Sequence, residues 1–249
     1  MISGIVVALP EELGTLGFAR AQKIAKGSYA FITDNIAVAY SGTGPKNAQL
    51  AAELLVANGA TQLISWGCAA ALSTTLKPGD LTLADTLIDT EGGSDEKFCV
   101  TAGWHSYTKD LLSSSVTVHS GCLAESEKIV SLSEDKKQMR LKTDAIVLDM
   151  ESIAIAKVAG KNNLPFLSIR AIADPVIMDL PKSVTYALNI EGEIVLSKLL
   201  FHLVCHPAEL PGLIKLGLYF NAAKKTLKLV AKHLNTILDF NDHFNQQPV

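Results

Sequence analysis

The segment of residues 145–175 constrains the fold of this chain more than any other part of its sequence. It consists of the apolar run AIVLDM, the stretch ESIAIAKVAGKNN, and a second apolar run, LPFLSIRAIA, which ends at an Asp-Pro pair. In the middle stretch, Ile153, Ala156 and Ala159 recur at helical spacing, and the proline that follows interrupts any helix. The segment is therefore predicted to form a strand, a helix and a second strand.

Three carboxylates lie at the ends of these predicted strands, namely Asp149, Glu151 and Asp174. If the strands are parallel neighbours, the carboxylates gather at one edge of the sheet, where open α/β sheets bind their ligands. The segment thus predicts a ligand site, although the carboxylates alone do not specify a reaction.

Composition excludes several classes of function. The chain has 249 residues, enough for one domain with a sizeable core, and its 48% hydrophobic and 19% charged residues are ordinary for a soluble enzyme. A formal net charge of −3 gives no basic surface for nucleic acid. The N-terminus lacks the basic leader of a signal peptide, and no apolar run is long enough to span a membrane, so we expect a cytoplasmic protein.

The four cysteines stand far apart, at positions 68, 99, 122 and 205, without a CxxC pair. This spacing indicates neither a zinc site nor a disulfide framework. We therefore expect reduced, buried thiols and no bound metal.

The first apolar run, GIVVALP at residues 4–10, is typical of a strand buried in a parallel sheet, and Glu11 and Glu12 follow it directly. These glutamates either belong to a site at the strand end or occupy the first turn of a helix that runs toward Ala21, where the helix dipole favours anions. The runs YAFITD and NIAVAYSG then predict a hairpin.

A glycine-rich turn, SGTG at residues 41–44, precedes a predicted helix from Pro45 to Asn58. Free backbone N–H groups at a helix N-terminus bind anions, which makes Gly42 and Thr43 candidate anion contacts. The turn lacks the lysine of a P-loop and the third glycine of a dinucleotide fingerprint, so a plain tight turn is the alternative.

The middle of the chain predicts further strands. LISWGCAAAL, residues 63–72, ends in small residues, which suits close approach by a ligand or a packed helix. After the turn LKPGD come the strand LTLADTLI and the polar residues 89–103, which we expect to form a flexible loop over a site. A strand at residues 116–121 contains His119, interpreted as a packing residue, and residues 125–144 are expected to form a solvated helix and turn.

The C-terminal part is predicted to be helical at residues 189–204 and again at residues 213–238. Apolar residues follow one stripe of the last helix, and its lysines lie largely outside that stripe. A basic amphipathic helix either lies on an anionic membrane surface or packs on the sheet with its lysines in water.

Taken together, these motifs resemble the nucleoside phosphorylase and nucleosidase family, whose members cut the N-glycosidic bond of purine nucleosides. The resemblance covers residues 4–175 and rests on VLDMES followed by AIADP, together with SGTG, WGCAAAL and LKPGD in the same order. It implies one α/β domain over residues 1–249, with a twisted, partly closed mixed sheet flanked by helices. The core would span residues 1–200 and a C-terminal helical extension residues 201–249, in a homo-oligomer, either a dimer or a hexamer.

The resemblance also assigns roles to single residues. Asp174 would be the general acid that protonates N7 of the purine, Glu151 would bind the ribose hydroxyls, and Met150 would pack beneath the sugar. Gly67 and Ala69, in the WGCAAAL strand end, would contact the substrate. Carboxylates on opposite sides of the scissile bond also suit the chemistry independently, because the reaction protonates a leaving group and passes through a cation-like sugar.

On the other side of the sugar, Glu12 corresponds to the glutamate that activates water in the hydrolytic branch of the family. Gly42, Thr43 and Cys68 fall where the family binds phosphate or the nucleophilic water, and Cys68 would also contact the substrate. No cofactor is implied, and phosphate would be a co-substrate if the reaction is phosphorolysis.

Several positions depart from the family pattern. Cys68 stands in place of a serine that contacts the anion, Ala173 in place of a serine that orients the catalytic aspartate, and a glycine pair is replaced by Ala70 and Ala71. Arg170, one of three arginines, lies within the last strand, so a bidentate phosphate clamp is not predicted. Phosphorolysis and hydrolysis both remain open.

The tail from Ser197 to Leu234 resembles the C-terminal extension of hopanoid-associated phosphorylases. This resemblance implies release of adenine from adenosylhopane, a lipid-linked nucleoside, by a protein in peripheral contact with the inner face of the membrane. Two alternatives stay open, a soluble nucleosidase for methylthioadenosine or adenosylhomocysteine, and a non-catalytic purine-nucleoside-binding protein on the same fold.

Overall fold

One mixed sheet with helices on both faces makes up the part of the chain that the computed structural model describes, residues 1–90, 96–187, 189 and 195–240. Its strands are β1 (Ser3–Val7), β2 (Ser28–Thr33), β3 (Ile36–Tyr40), β4 (Gln62–Ala71), β5 (Leu81–Asp89), β6 (Lys97–Cys99), β7 (Val118–Glu125), β8 (Val147–Asp149) and β9 (Phe166–Asp174). The helices are α1 (Pro10–Leu13), α2 (Pro45–Ala57), α3 (Ala102–Leu112), α4 (Ser133–Thr143), α5 (Ser152–Lys161), α6 (Lys182–Ala187), α7 (Leu196–Cys205), α8 (Leu210–Ala231) and α9 (Leu234–Leu238).

The longest strand, β4, lies at the centre of the sheet. It runs parallel to β1 on one side and to β9 on the other, and its end pairs with β8. In addition, β9 pairs with β5, β5 with β7 and β7 with β8. These four strands and β4 therefore form a closed part of the sheet, and β1, β3 and β2 form an open part beside it. The predicted α/β fold with a twisted, partly closed mixed sheet is confirmed.

The two strands of residues 145–175 are not parallel neighbours, so the condition set for them in the sequence analysis is not met. Both pair with β4, but β8 runs antiparallel to it and β9 runs parallel. Their carboxyl ends still meet, because β8 pairs with Ala70 and Ala71, and Asp174 at the end of β9 lies opposite Ala70. The carboxyl end of β4 therefore organises the site.

Apolar side chains fill two layers, one on each face of the sheet. On one face, α2 and α5 pack against each other and bury Leu55 and Ile155. On the other face, Trp66, Trp104 and Leu227 are fully buried. Every residue of β9 is buried, which accounts for the continuous apolar run that predicted this strand.

Most predicted elements are confirmed, and the differences have local causes. The hairpin forms from β2 and β3, and α2 begins at Pro45 and ends before Gly59, whose φ of +93° suits glycine. The helix predicted to run toward Ala21 is wrong. Its place is taken by the four residues of α1, because Gly14 ends that helix and Gly17 adopts a φ of +79°.

Two other predicted segments are corrected. The expected loop at residues 89–103 is wrong where the structure describes it, since β6 and the start of α3 lie there, and residues 91–95 are outside the described residues. The helix expected from residue 189 begins as α7 at Leu196, and residues 190–194 are likewise outside. His119, on β7, lies 3.1 Å from a carboxylate oxygen of Asp80, which agrees with its interpretation as a packing residue.

The cysteines are all free thiols, and two of them are not buried. Cys99 and Cys205 are exposed, so the expectation of buried thiols is wrong for this pair, whereas Cys68 and Cys122 are half-buried. These two exposed positions lie on β6, at an edge of the sheet, and at the end of α7.

The last predicted helix divides into α8 and α9, and the burial of its side chains differs between its first and second parts. In the second half of α8 and in α9, Leu227, Val230 and Ile237 are buried, and Trp104 Nε1 donates a 2.7 Å hydrogen bond to the carbonyl of Ile237. By contrast, no side chain whose burial is described in α7 or in residues 210–222 is fully buried. Among the described residues, no helix is long and apolar enough to cross a membrane.

The packing of α8 predicts that two of its leucines contribute very differently to the free energy of unfolding. Leu227 is 0% exposed and Leu229 is 41% exposed. Leu227→Ala is expected to lower the free energy of unfolding by about 2–5 kcal/mol, because it leaves a cavity. The matched variant Leu229→Ala is expected to change it by less than about 0.5 kcal/mol. Urea unfolding of both variants measures the difference, and equal losses would contradict this packing of α8.

Candidate active site

A buried arginine on β9 joins the side chains at the carboxyl end of β4. Arg170 is 1% exposed, and its Nε lies 2.7 Å from Oδ2 of Asp149. Its Nη2 lies 3.7 Å from Oε2 of Glu151, and its Nη1 donates to the carbonyl of Cys68 at 3.4 Å. Burial opposes the charge of the guanidinium, but Asp149, Glu151 and Glu12 outweigh it and raise the pKa of Arg170.

Asp149 has a structural role at the start of α5. Besides its ion pair with Arg170, its Oδ1 accepts hydrogen bonds from the backbone N–H of Ser152 at 3.1 Å and of Glu151 at 3.3 Å. The carboxylate thus satisfies free N–H groups at the start of α5. It holds the arginine and the helix start in fixed positions, which sets the place of Glu151.

Glu12 reaches the same cluster from α1. It is 2% exposed, and its Oε1 accepts a 2.6 Å hydrogen bond from the backbone N–H of Cys68 while its Oε2 accepts one of 3.1 Å from Leu9. Burial raises the pKa of Glu12 to about 7, although Arg170 acts in the opposite direction. A carboxylate with this pKa is suited to accept a proton near neutral pH.

Gly67 is required where Glu12 and Arg170 approach each other. A Cβ at this position would lie 2.7 Å from Oε1 of Glu12 and would also overlap the guanidinium of Arg170. The small residues at the end of β4 therefore make room for these two side chains. Ala69, two positions further along β4, is buried.

Glu151 ties the glycine-rich turn to the cluster. Its Oε1 accepts a 3.0 Å hydrogen bond from the backbone N–H of Gly44, and burial raises its pKa. Gly42, with a φ of +81°, lies against the side chain of Lys26, and the carbonyl of Thr43 accepts a hydrogen bond from Asn47 within α2. The turn is thus part of the site, beside the residue predicted to bind ribose.

Asp174 ends β9 on the other side of the β4 terminus and is 9% exposed. Lys136 Nζ donates a 2.7 Å hydrogen bond to its Oδ1. Burial raises the pKa of Asp174 to about 6, while Lys136 lowers it. A carboxyl with this pKa retains its proton in weakly acidic solution and can act as an acid. Met150, between Glu151 and β8, is half-buried.

Cys68 contributes hydrogen bonds to the site through its backbone. Its N–H and carbonyl bind Glu12 and Arg170 respectively, and burial, followed by the charge of Glu12, raises the pKa of the thiol well above its ordinary value. The thiol therefore stays protonated and is not a nucleophile. Within the described part of the chain, no group of three or more His, Cys, Asp or Glu residues could hold a metal ion.

Two side chains of the site were not identified from the sequence. Arg170 carries a recognisable signal, because a charge inside a continuously apolar strand needs a buried counter-ion, and Asp149 and Glu151 precede it closely. Lys136 carries none, since it lies in a helix, α4, whose other charged residues face water. The structure therefore places two buried cations beside the candidate residues, Arg170 beside Glu12 and Glu151, and Lys136 beside Asp174.

The fold and this cluster define an α/β protein with a buried site of carboxylates and one arginine at the end of its central strand. The chain belongs to the phosphorylase superfamily, whose family model matches residues 3–206.

A curated relative and several solved structures are similar to this chain. The 5′-methylthioadenosine/S-adenosylhomocysteine nucleosidase of Thermotoga maritima is 27% identical over 99 residues, which are 39% of this chain and 46% of that protein, so the match spans less than half of the relative. The nucleosidase of the same name from Neisseria meningitidis, in complex with methylthio-immucillin-A, has a TM-score of 0.71 at 17% identity and covers 94% of this chain and 99% of its own.

The other two structures come from Helicobacter pylori. A 5′-methylthioadenosine/S-adenosylhomocysteine nucleosidase has a TM-score of 0.68 at 18% identity, with coverage of 96% of this chain and 98% of its own. A futalosine hydrolase has a TM-score of 0.69 at 18% identity, with coverage of 96% and 97%. At these identities the likeness shows the fold.

The raised pKa of Glu12 predicts how stability depends on pH. Its folded pKa of about 7 exceeds the model-compound value of 4.5, so its contribution is complete below pH 4.5 and is lost as pH rises through 7. The loss amounts to about 3 kcal/mol. Glu12→Gln is expected to flatten the decline of the free energy of unfolding across this range, whereas Glu11→Gln, at an exposed position, is expected to leave it unchanged. Denaturant unfolding at a series of pH values tests this, and parallel curves for wild type and Glu12→Gln would contradict it.

Proposed function

We propose that this protein hydrolyses the N-glycosidic bond of an adenosine-type nucleoside. The observation that carries the proposal is the pair of buried carboxyls, Glu12 and Asp174, on either side of the β4 terminus, with pKa values of about 7 and about 6. These values suit a general base and a general acid near neutral pH. The names of the relatives, nucleosidases and a hydrolase, support the same reaction class.

The proposed reaction assigns one step to each carboxyl. Asp174 transfers its proton to N7 of the purine as the bond between C1′ and N9 breaks, so the base leaves in neutral form. Glu151 accepts hydrogen bonds from the ribose hydroxyls, and its negative charge stabilises the cation-like sugar. Glu12 takes a proton from a water molecule, whose oxygen forms the new bond to C1′.

The charge of the site favours water over phosphate as the nucleophile. The guanidinium of Arg170 faces the carboxyls of Asp149, Glu151 and Glu12, and two of them already engage it. A phosphate dianion beside this guanidinium would lie against those carboxyls, and like charges repel strongly where water is excluded. We therefore propose hydrolysis rather than phosphorolysis, with no need for a cofactor.

An adenine-release assay tests this function. We expect 5′-methylthioadenosine to yield adenine at the same rate with and without phosphate. Asp174→Asn is expected to lower kcat by roughly 10²–10⁴-fold, as for a lost general acid. Asp110→Asn, at an exposed position on α3, is the matched control and should leave kcat unchanged. Release that requires phosphate would contradict hydrolysis, and purine binding without turnover would indicate a non-catalytic protein.

The C-terminal helices support a more specific proposal for the substrate. Six large apolar side chains on α7 and the first half of α8 are exposed and are together called the apolar face, namely Leu200, Phe201, Val204, Leu210, Ile214 and Leu218. A concentration of exposed apolar side chains marks an interaction site in soluble proteins. Ile177, three residues after Asp174, is also 73% exposed. An exposed apolar residue thus also follows the proposed general acid closely in the chain.

Charge indicates which partner covers this apolar face. Residues 196–232 contain six lysines and one acidic residue, Glu209. Apolar side chains beside an excess of lysine suit the surface of an anionic bilayer. We therefore propose that the protein binds peripherally to the inner face of the membrane and that its favoured substrate is a lipid-linked adenosine such as adenosylhopane. The dimer or hexamer implied by the resemblance stays a prediction.

Vesicle flotation tests the membrane proposal. The wild-type protein is expected to float with phosphatidylglycerol vesicles and to remain unbound with phosphatidylcholine vesicles. The double variant Phe201→Asp/Ile214→Asp should lose binding, while Leu50→Asp, at a position 56% exposed on α2, should retain it. Hydrolysis of water-soluble nucleosides should be equal in all three proteins. Self-association that only the double variant abolishes, without vesicle binding by the wild type, would instead assign the apolar face to a second copy.

A further inference from the structure

We infer that Lys136 is a positioning residue for Asp174, holding one carboxylate oxygen in place and stabilising the negative charge that appears on it as the proton leaves. This inference rests on the proposed function, in which Asp174 protonates the departing base. Lys136 acts through Asp174 and makes no contact with the substrate in this role.

The ammonium group of Lys136 is buried, and its hydrogens all have acceptors. The side chain is 0% exposed, and its Nζ donates to Oδ1 of Asp174 at 2.7 Å, to the carbonyl of Met178 at 2.8 Å and to that of Pro175 at 3.4 Å. An ammonium has three hydrogens, so these acceptors satisfy it. Lys136 therefore ties the end of β9 to the segment that follows it.

This arrangement distinguishes the two oxygens of Asp174. Because Oδ1 accepts from an ammonium, the proton of the neutral carboxyl resides on Oδ2. That oxygen is left to donate to a nitrogen of the base. Ala173, the preceding residue, has no hydroxyl to orient the carboxyl. Lys136 supplies from α4 the hydrogen bond whose absence was expected from the sequence.

The ammonium also favours the product of proton transfer. Asp174 is neutral before the transfer and negative after it, and a cation 2.7 Å away stabilises the negative form far more than the neutral one. An interaction that strengthens as the bond breaks lowers the barrier. A buried lysine without a counter-ion is costly, and this cost is relieved when the carboxylate forms.

The other charged groups near this pair do not replace Lys136. Asp179, in the segment after β9, raises the pKa of Asp174, and its Oδ1 accepts a hydrogen bond from the backbone N–H of Ser133 at the start of α4. Lys137, the next residue of α4, pairs instead with Glu134 at 3.6 Å and has a side chain that is 52% exposed. Lys137 therefore serves as the matched control.

The test compares Lys136→Met with Lys137→Met. Loss of the ammonium should lower kcat by roughly 10²-fold, comparable with removal of one preorganised donor, with little change in KM. It should also move the alkaline limb of the kcat profile to higher pH, because Asp174 without a neighbouring cation keeps its proton longer. Lys137→Met should match the wild type in both respects. Thermal unfolding verifies that each variant is folded, and Lys136→Gln, which retains a donor without a charge, replaces Lys136→Met if that protein does not fold.

Two further measurements separate positioning from packing. In an Asp174→Asn background, Lys136→Met should cause no additional loss of kcat, because residues that act as a unit are not additive. The titration of the Asp174 carboxyl, followed by ¹³C NMR, should shift to higher pH in Lys136→Met even if no nucleoside is hydrolysed. A lower kcat with an unchanged alkaline limb and an unchanged titration would overturn this role. Absence of any adenine release by the wild type would overturn the proposed function instead, while the NMR titration would still decide the coupling.

Discussion

The rest of the site depends on the buried guanidinium of Arg170. A charge in the interior of a fully buried strand is stable only where counter-ions surround it, and Asp149 and Glu151 provide them at 2.7 and 3.7 Å. Glu12 and Glu151 in turn receive compensation for their burial from the same cation. One arginine thereby fixes the start of α5, the end of β4 and the short helix α1 relative to one another.

Much of the fold follows from local sequence patterns. The continuous apolar runs predicted β1, β4 and β9, and the turn residues around Gly59 and Gly79 marked element ends, because a positive φ is costly for other residues. Which strands pair with each other was harder to predict from the sequence. Apolar runs carry no information on partner or direction, so they could not reveal that β4 lies between β8 and β9.

Candidate site residues could be proposed where residue type and position in the chain indicate chemistry. Glu12, Glu151 and Asp174 followed from their positions after apolar runs and from the family resemblance. Arg170 and Lys136 were not predicted, because their roles depend on burial, and burial of a long cationic side chain is decided by the tertiary partners that surround it. For the C-terminal helices the sequence left two interpretations open for the same reason, since periodicity identifies an apolar stripe but not whether the protein covers it.

The packing of α8 and α9 has a consequence for how this protein is made. Trp66, on β4, belongs to the apolar layer that includes Leu227, Val230 and Ile237, about 160 residues later in the chain. During synthesis, which proceeds from the N-terminus, this layer stays incomplete until those residues have emerged. The nascent chain therefore carries an uncovered apolar sheet for most of its translation, and its yield in the cell is expected to depend on chaperones that shield such surfaces.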